Sequence, residues 1–298
     1  MHPMRVLLFG KTGQIGSAVM SRLSHRHEVT APDRMQVDFS SPDTLEESIR
    51  HASPDIVINA AAYTAVDAAE TNPDLAMQIN GRSVEKIAKL SGKMGFRMIH
   101  FSSDYVFDGS LSRPYREDDP KSPLNTYGLT KGYGDDAVVA YASHATILRV
   151  SWVISSKKVN FLDKIMARFQ QTETVKVVCD QVGSVTSASL AAEAVELAMD
   201  RGGSGSKIYH LCTKGEVSWH DIAMAVHDHA EAIGLPVAVK REHIEPIKTN
   251  LLNLPANRPL NSRLNCMLIQ NELGICLPNW QDTVKQICNR KFVHHGSA

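Results

Sequence analysis

The chain has 298 residues, enough for about two domains of roughly 150 residues each. Hydrophobic residues make up 43% of it and charged residues 21%, and these ordinary proportions exclude a disordered or fibrous protein. The 32 Lys and Arg residues balance the 32 Asp and Glu residues, so the basic excess typical of nucleic-acid binders is absent. No apolar run approaches the length of a membrane span or of a signal-peptide core. We therefore expect a cytoplasmic protein with neither a nucleic acid nor a membrane as partner.

The cysteines and histidines show no spacing typical of a metal or redox site. The 5 cysteines form no CxxC pair, and the 13 histidines form no HExxH motif. An odd number of cysteines without paired spacing is typical of reduced thiols in a reducing compartment. The sequence therefore predicts no protein metal site.

The first half of the chain alternates short apolar runs with amphipathic stretches. Strands are predicted over residues 6–9, 28–31, 55–59, 97–101 and 145–150. Helices are predicted over 15–23, over 45–51 with a start near Ser41 and Pro42, and over 73–95 with interruptions near Gly81 and Gly92. This alternation indicates βαβ units, and hence an α/β fold with a Rossmann-like, doubly wound parallel sheet.

The second half is less regular. Helices are predicted over 161–169, 188–199 and 218–233, where Ser218 is the expected N-cap and Asp221 the third helical residue. Strands are predicted over 175–179 and 208–211, a turn over 202–206 and a loop over 253–265. We expect a cofactor domain over 1–150, completed by segments within 175–212, and a smaller α+β substrate domain that takes most of 151–298. Ligands of such proteins bind beyond the carboxyl ends of the strands.

A glycine-rich turn follows the first predicted strand. Gly10, Gly13 and Gly16 have the spacing GxxGxxG, and Gln14 and Ile15 stand where the first helix should begin. Glycines allow the backbone to approach a pyrophosphate closely, and a helix N-terminus offers free N–H groups to it. The glycines are not followed by GK[ST], which argues against an ATPase. The turn therefore predicts a dinucleotide site.

The end of the second predicted strand indicates where the adenosine would bind. Asp33 lies 17 residues after Gly16, where an acidic residue commonly accepts a hydrogen bond from the ribose of NAD. Arg34 stands beside it and suits the additional phosphate of NADP instead. Asp38 and Phe39 could flank the adenine. The two neighbouring residues indicate opposite cofactors, so the choice between NADH and NADPH stays open.

Two groups of polar residues suit proton transfer to a carbonyl. Tyr127 and Lys131 form a YxxxK pair, which places both side chains on one face of a helix. A nearby ammonium group lowers the pKa of a phenol from its usual value of about 10, so Tyr127 is the expected general acid. Ser103 directly follows the strand over 97–101, where its hydroxyl could orient the same carbonyl oxygen.

Eight stretches of sequence, in family order across nearly the whole chain, carry a resemblance to known enzymes. The chain resembles the extended short-chain dehydrogenase/reductases and, within them, the family of dTDP-4-dehydrorhamnose reductases, for which SDYVF and NSRLN are specific. The stretches are LLFGKTGQIG (7–16), DIVINAAAYTAVDAAE (55–70), FSSDYVFDG (101–109), SPLNTYGLTKGYGDD (122–136), LRVSWV (148–153), DQVGSVTSA (180–188), SWHDIA (218–223) and RPLNSRLN (258–265).

The resemblance implies reduction of the C4 keto group of dTDP-4-dehydro-β-L-rhamnose with NADPH or NADH, and it is compatible with a homodimer. It implies that Tyr127 is the proton donor, that Lys131 is its partner and that Ser103 takes the place of a catalytic threonine or serine. The residues expected at the dTDP-sugar are Ser103, Asp104, Trp152, Arg258, Asn261 and Ser262. Those expected at the cofactor are Gly10, Gly13, Gln14, Ile15, Gly16, Asp33, Arg34, Asp38, Phe39, Ala62, Tyr63, Thr64, Tyr127 and Lys131.

The sequence departs from the family pattern at three positions and leaves two other functions open. Tyr63, Val185 and Asp135 stand where the family more often has histidine, proline and glutamate.

An epimerase or dehydratase uses the same scaffold, but a dehydratase usually has an Asp-Glu pair where Asp104 is followed by Tyr105. A non-catalytic regulatory subunit, such as that of methionine adenosyltransferase, also resembles these reductases.

Overall fold

A six-stranded parallel sheet forms the centre of the fold. The structure is a computed structural model and describes residues 2–41, 43–201 and 205–293. Its strands are β1 (Arg5–Phe9), β2 (Glu28–Thr30), β3 (Ile56–Asn59), β4 (Arg97–Ser103), β5 (His144–Val150), β6 (Val153–Ile154), β7 (Val175–Val178), β8 (Val182–Gly183), β9 (Thr186–Ser187), β10 (Gly205–Leu211), β11 (Val217–Ser218) and β12 (Ile244–Ile247). The sheet has the order β10-β5-β4-β3-β1-β2. The direction of winding reverses at β1, so a crevice is expected beyond the carboxyl ends of β1 and β3.

Helices cover both faces of this sheet, as its almost continuously apolar central strands require. The helices are α1 (Gln14–Leu23), α2 (Asp43–Ala52), α3 (Val66–Thr71), α4 (Pro73–Met77), α5 (Ser83–Met94), α6 (Thr126–Tyr141), α7 (Phe161–Gln171), α8 (Ala188–Arg201), α9 (Trp219–Ala232), α10 (Met267–Leu273) and α11 (Trp280–Cys288). Apolar side chains of α1, α8 and α10 share one core with the sheet, and those of α2, α5 and α6 share another. These layers confirm the predicted Rossmann-like fold.

A separate apolar core lies among elements that follow residue 150. Phe169 of α7, Val226 of α9 and Val284 of α11 are buried in it, next to the strand pair β7–β12. The large sheet nevertheless takes β10 and the flanking helix α8 from the second half of the chain. The cofactor unit that we propose over 1–150 is therefore completed from 188–211, within the segments expected to contribute.

Most predicted elements are present, with local differences that have physical reasons. The interruption near Gly81 is a π-helical turn over Gln78–Arg82, whereas α5 passes through Gly92 without a break. A Cβ at Gly92 would collide with the carbonyl oxygen of Tyr141, so this glycine serves packing against α6. Residues 205 and 206 of the predicted turn belong to β10. Pro42 and residues 202–204 lie outside the described residues.

The predicted cap of α9 is confirmed. The Ser218 hydroxyl accepts a hydrogen bond from the Asp221 backbone N–H, and the Asp221 carboxylate accepts one from the Ser218 N–H. The helices α10 and α11 were not predicted. Among the described residues, no helix has the length and apolar character needed to cross a membrane.

Candidate active site

The glycine-rich turn between β1 and α1 allows three backbone segments to meet. Gly10 has a φ of +85°, and a Cβ there would lie 2.6 Å from the backbone of Ala60. A Cβ at Gly16 would collide with the carbonyl oxygen of Gly10. Gly13 precedes α1 as its N-cap, with a backbone hydrogen bond of 3.0 Å to the Gly10 oxygen. Gly10 and Gly16 thus pack the turn against β3 and α1, and the N-terminus of α1 is left open for an anion.

A cavity of about 300 Å³ opens at this turn, beyond the carboxyl end of β1. Its shape and lining suit an adenine nucleotide, because apolar walls from Val37, Leu75 and Ile79 meet backbone donors and charged groups. The predicted cofactor residues among its lining are Gly10, Gly13, Asp33, Arg34, Asp38, Phe39, Ala62 and Tyr63. The residues present therefore fit a dinucleotide.

Three other residues predicted to bind the cofactor do not line this cavity. The Gln14 side chain points away from this cavity, donates to the Val153 carbonyl and accepts from the Ser155 hydroxyl. Ile15 packs against the apolar core of the sheet. Thr64 is exposed and is not part of the cavity wall. Gln14 therefore connects the glycine turn to the chain that follows β5.

The charges at the adenosine end of the cavity are unevenly paired. The Asp33 carboxylate forms an ion pair of 2.9 Å with Lys11, and both side chains are partly exposed. Among the described residues, no carboxylate lies within 4.0 Å of the Arg34 guanidinium. Asp33 is thus partly neutralised, while Arg34 keeps its donors available to a phosphate.

The start of α6 is fixed by its own N-cap residue and by contacts with two other segments of the chain. Asn125 caps the helix by accepting a hydrogen bond from the Gly128 N–H, and Glu70 accepts from the Thr126 N–H. A Cβ at Gly128 would collide with the carbonyl oxygen of Tyr105, so α6 lies tight against the turn after β4. This contact brings the Tyr105 and Tyr127 rings to a centroid distance of 5.8 Å.

Lys131 is buried beneath Tyr127 and is held by β4. Its ammonium donates to the Phe101 carbonyl at 2.6 Å and lies 3.5 Å from His100 Nε2. Burial lowers the pKa of Lys131 to about 8, although the Asp135 carboxylate opposes that change. Burial and the Lys131 charge also lower the pKa of His100 well below its usual value. The imidazole is therefore neutral at physiological pH.

The pKa of Tyr127 shifts in the direction opposite to the one predicted. Burial raises the pKa of Tyr127 to about 12, and the carboxylates of Asp104 and Asp135 add to that rise. The hydrogen bond from Ser103 lowers the pKa, but by less than burial raises it. The expected lowering by Lys131 is wrong for this state of the protein, in which the ammonium is directed to a backbone carbonyl.

Ser103 and Asp104 lie side by side where β4 ends. The Ser103 hydroxyl is 3.0 Å from Asp104 Oδ1 and also accepts a hydrogen bond from the Tyr105 N–H. Burial raises the pKa of Asp104 to about 6, against the lowering by hydroxyl groups of Ser262 and Ser103. This carboxyl group is therefore available both as a hydrogen-bond acceptor and, below that pH, as a donor.

A pair of stacked indoles borders the same region. Trp152 and Trp219 have ring centroids 4.0 Å apart, and Trp152 has a positive φ of 43°. A Cβ at Gly183 would lie 3.1 Å from Trp152 and 3.2 Å from Ser262, so these three residues share one wall. A non-glycine residue in the left-handed region is costly and often marks a functional site. Trp219 was not predicted as a site residue, although it lies in the stretch SWHDIA, which resembles the family.

The remaining predicted substrate residues lie on the loop over 253–265. Arg258 donates to Asp67 at 2.6 Å and to the Ala256 carbonyl at 3.2 Å. Asn261 donates to the carbonyls of Leu111 and Arg113, and its own oxygen accepts from Arg263. The Asn261 carboxamide is therefore engaged within the protein, whereas Arg258 is held at the cleft by an ion pair. Asp67 was not predicted from the sequence.

Comparisons with known proteins match nearly the whole length of the chain. The model of the family described as RmlD substrate binding domain matches residues 4–292. The dTDP-4-dehydrorhamnose reductase of Escherichia coli K12 is 38% identical over 297 residues, which cover 97% of this chain and 98% of the relative.

Solved structures of dTDP-4-dehydrorhamnose reductases have the same fold as this chain. The dTDP-4-dehydrorhamnose reductase of Clostridium acetobutylicum has a TM-score of 0.89 at 29% identity, covering 95% of this chain and 98% of that one. The Bacillus anthracis dTDP-4-dehydrorhamnose reductase, solved in complex with NADP, has a TM-score of 0.87 at 26% identity and covers 98% and 99%. The match to the Escherichia coli enzyme at 38% identity, together with the family model along nearly the whole chain, means that the protein belongs to the dTDP-4-dehydrorhamnose reductase family.

Proposed function

We propose that the protein reduces the C4 keto group of dTDP-4-dehydro-β-L-rhamnose to dTDP-L-rhamnose with NADPH or NADH. The observation that carries the proposal is the convergence of Ser103, Tyr127 and buried Lys131 at the carboxyl end of β4, in the same sheet whose β1–α1 turn opens a cavity suited to a dinucleotide. The nicotinamide supplies the hydride that adds to C4 of the sugar. The protein supplies position, charge and a proton.

Tyr127 acts as the proton donor in this proposal. A phenol with a pKa near 12 stays protonated at physiological pH, yet an alkoxide is a much stronger base than a phenolate. The proton therefore moves downhill from the Tyr127 oxygen to the sugar O4 as the hydride adds. Ser103 donates a hydrogen bond to the same oxygen and orients it.

Lys131 is assigned to the cofactor ribose and to the phenolate that forms. At pH 7 the ammonium is still protonated, because its pKa is about 8. Its position one helical turn after Tyr127 allows it to stabilise negative charge on that oxygen once the proton has left. The predicted effect of Lys131 on Tyr127 therefore belongs to the reacting state.

NADPH is the cofactor that the charges favour. Lys11 pairs with Asp33, which weakens the acidic residue that would select NADH, and Arg34 lines the same cavity. The substrate sugar is assigned to Asp104, Trp152 and Ser262, and its diphosphate to Arg258, because an anion requires charged donors. A homodimer stays a prediction.

The dehydratase alternative is disfavoured by Tyr105. This residue stands where a second carboxyl group would be needed, and burial raises the pKa of its phenol. It cannot replace a carboxylic acid in the elimination of water. A regulatory subunit would bind the cofactor and a partner protein without turnover, and the intact Ser103, Tyr127 and Lys131 argue against that function.

Oxidation of NADPH tests the proposal. The keto sugar is generated in place by the upstream enzymes, and absorbance is followed with and without the protein. We expect oxidation only when the protein and the keto sugar are both present, with NADH slower than NADPH. A folded sample that binds NADPH but oxidises neither cofactor would contradict the proposal and favour another keto sugar or the regulatory function.

A Tyr127→Phe variant tests the mechanism. We expect turnover to fall by at least about a hundredfold, the usual contribution of a general acid, with unchanged affinity for NADPH. The matched control is Tyr133→Phe, because Tyr133 is on the same helix but is exposed and donates to Glu85 instead. Wild-type turnover in the Tyr127 variant would rule out its assigned role.

A further inference from the structure

A second group of ligand-type side chains lies on α9. His227, Asp228 and Glu231 present one imidazole nitrogen and two carboxylate oxygens, all within 4.8 Å of one another. The spacing i, i+1, i+4 places them on one side of the helix, about 12 Å along its axis from Trp219. None of the three belongs to the candidate active site.

The His227 ring is buried and one of its nitrogens is unpartnered. Nε2 lies 3.0 Å from the Val239 carbonyl, which can only accept, so this nitrogen carries a proton. Nδ1 is buried and has no hydrogen-bond partner among the described residues. In the neutral ring it presents a lone pair, which faces Glu231 Oε2 at 3.6 Å and Asp228 Oδ1 at 3.9 Å.

Three electron-pair donors that lie this close together form a suitable binding position for a cation. Their place in the helix also favours a cation, because the carboxylates of Asp228 and Glu231 lie near the C-terminus of α9, where the helix dipole is negative. Phe169 packs edge-on against the ring at 5.5 Å and fixes its orientation. The lone pair is therefore held in a constant direction toward the two carboxylates.

The distances suit a tetrahedral ion. Zinc bonds of about 2.0–2.1 Å place neighbouring ligand atoms roughly 3.4 Å apart. The His227 nitrogen lies 3.6 and 3.9 Å from the two carboxylate oxygens, and all three atoms lie within 4.8 Å of one another. The two carboxylate side chains are about half exposed, so they are able to move closer around an ion. One imidazole with two carboxylates is a ligand set that zinc accepts and magnesium or calcium does not prefer.

One neighbouring cation opposes the site. Arg241 Nε donates to Asp228 Oδ1 at 2.7 Å, and its guanidinium repels a dication. Because Glu231 has no such partner within 4.0 Å among the described residues other than His227, the ion would depend chiefly on His227 and Glu231. Arg241 would hold Asp228 in place as the outer partner of a ligating carboxylate.

We propose that His227, Glu231 and Asp228 bind a divalent transition-metal ion of the zinc type on the outside of the separate apolar core that follows residue 150. The site lacks the HExxH and CxxC spacings of common metal motifs and uses a histidine and a glutamate four residues apart. The ion would link the end of α9 to the carbonyl of Val239 through the His227 ring, and so stabilise this part of the fold.

Zinc titration of the full-length protein tests the site. Wild type, His227→Gln and Glu231→Gln compete with a chromophoric zinc chelator, and Co²⁺ in place of zinc reports ligand geometry by its visible absorption. We expect both variants to bind at least about tenfold more weakly than wild type and to lose the cobalt spectrum of a nitrogen–oxygen site. Zinc should raise the Tm of wild type and leave that of His227→Gln and Glu231→Gln unchanged.

The controls separate this site from other histidines and from loss of folding. His229→Gln changes a histidine on the same helix that contacts Asn289 instead, and it should bind zinc as wild type does. Glu231 is more than half exposed, so its variant should fold even where the buried His227 variant does not. Wild-type zinc affinity and cobalt absorption in Glu231→Gln would overturn the proposal.

Discussion

At the scale of single residues, burial drives three ionisable groups of the candidate active site toward their neutral forms. The pKa of Tyr127 and that of Asp104 rise, and the pKa of Lys131 falls, with desolvation as the largest cause in each case. Since burial cannot be seen from a sequence motif, the YxxxK pair gave the wrong direction for the pKa of the Tyr127 phenol. The sequence thus brought Tyr127 and Lys131 forward as candidates, whereas their protonation depends on burial that only the structure shows.

Asp104→Asn should stabilise the protein more at high pH than at low pH. Because the folded pKa of Asp104 is raised to about 6, its contribution to stability is present below its unfolded pKa and is lost as the pH rises through 6. An asparagine has no such loss. We expect the stability of the variant relative to wild type to increase by about 1 kcal/mol between pH 5 and pH 8, measured by urea unfolding.

Asp119→Asn is the control for that measurement. Hydrogen bonding to Arg113 lowers the pKa of Asp119 to about 2, so this carboxylate is ionised at both pH values. The stability difference between Asp119→Asn and wild type should not change between pH 5 and pH 8. If the stability difference between Asp104→Asn and wild type also stayed the same between pH 5 and pH 8, the raised pKa of Asp104 would be contradicted.

Lys131 should make cofactor binding weaker above about pH 8. Its ammonium form prevails below its lowered pKa and is lost as the pH rises through that value. We expect the Kd for NADPH of wild type, measured by fluorescence, to increase from pH 7 to pH 9. Lys131→Met should bind more weakly at pH 7 and show no such increase. The same pH dependence in both proteins would remove Lys131 from the cofactor site.

At the scale of elements, the six strands of the large sheet and most of the longer helices follow from the sequence, but the winding of the chain around Gly81 does not. A π-helical turn over Gln78–Arg82 continues the helical region where Gly81 suggested a break. The side chain of Asn80 in this turn bonds the Tyr63 backbone and the Thr130 hydroxyl, so tertiary contacts fix the local winding. Such contacts join residues distant in sequence, and hydrophobic periodicity carries no information about them.

Gly16→Ala should destabilise the fold, whereas Gly13→Ala should not. A Cβ at Gly16 collides with the Gly10 backbone, and backbone that cannot move aside costs about 1–3 kcal/mol in a packed position. A Cβ at Gly13 lies 3.4 Å from the same oxygen, an ordinary contact. Urea unfolding without cofactor measures both. Equal stability of the two variants would contradict the packing role of Gly16.

At the scale of the whole molecule, the cleft is spanned by contacts between segments far apart in the chain. Arg258 pairs with Asp67 of α3, the Asn125 amide donates to the Asn257 carbonyl, and Gln14 bonds Val153 and Ser155. The resemblance predicted Arg258 but not its partner, because a pairing across 191 residues has no local signature. Asn261, predicted at the substrate, instead ties the loop over 253–265 to the backbone of Leu111 and Arg113.

Arg258→Gln should weaken binding of the sugar nucleotide and leave cofactor binding unchanged. A lost charge-assisted hydrogen bond costs about 1.5–3 kcal/mol, which corresponds to an increase in KM of about ten- to a hundredfold. Steady-state kinetics with each substrate varied measures both constants. Arg113→Gln is the control, because Arg113 pairs with Asp119 on the surface. A wild-type KM for the sugar in Arg258→Gln would exclude Arg258 from the diphosphate site.

The stacked indoles of Trp152 and Trp219 also give the protein an optical signal of its own. Two of the three tryptophans in the chain lie face to face at the wall assigned to the sugar, and the third, Trp280, begins α11. Rings at this distance couple electronically, so their near-ultraviolet circular dichroism should depend on how they overlap. A ligand that touches Trp152 would change the overlap, and the sugar site would thus become observable in the unlabelled wild-type protein.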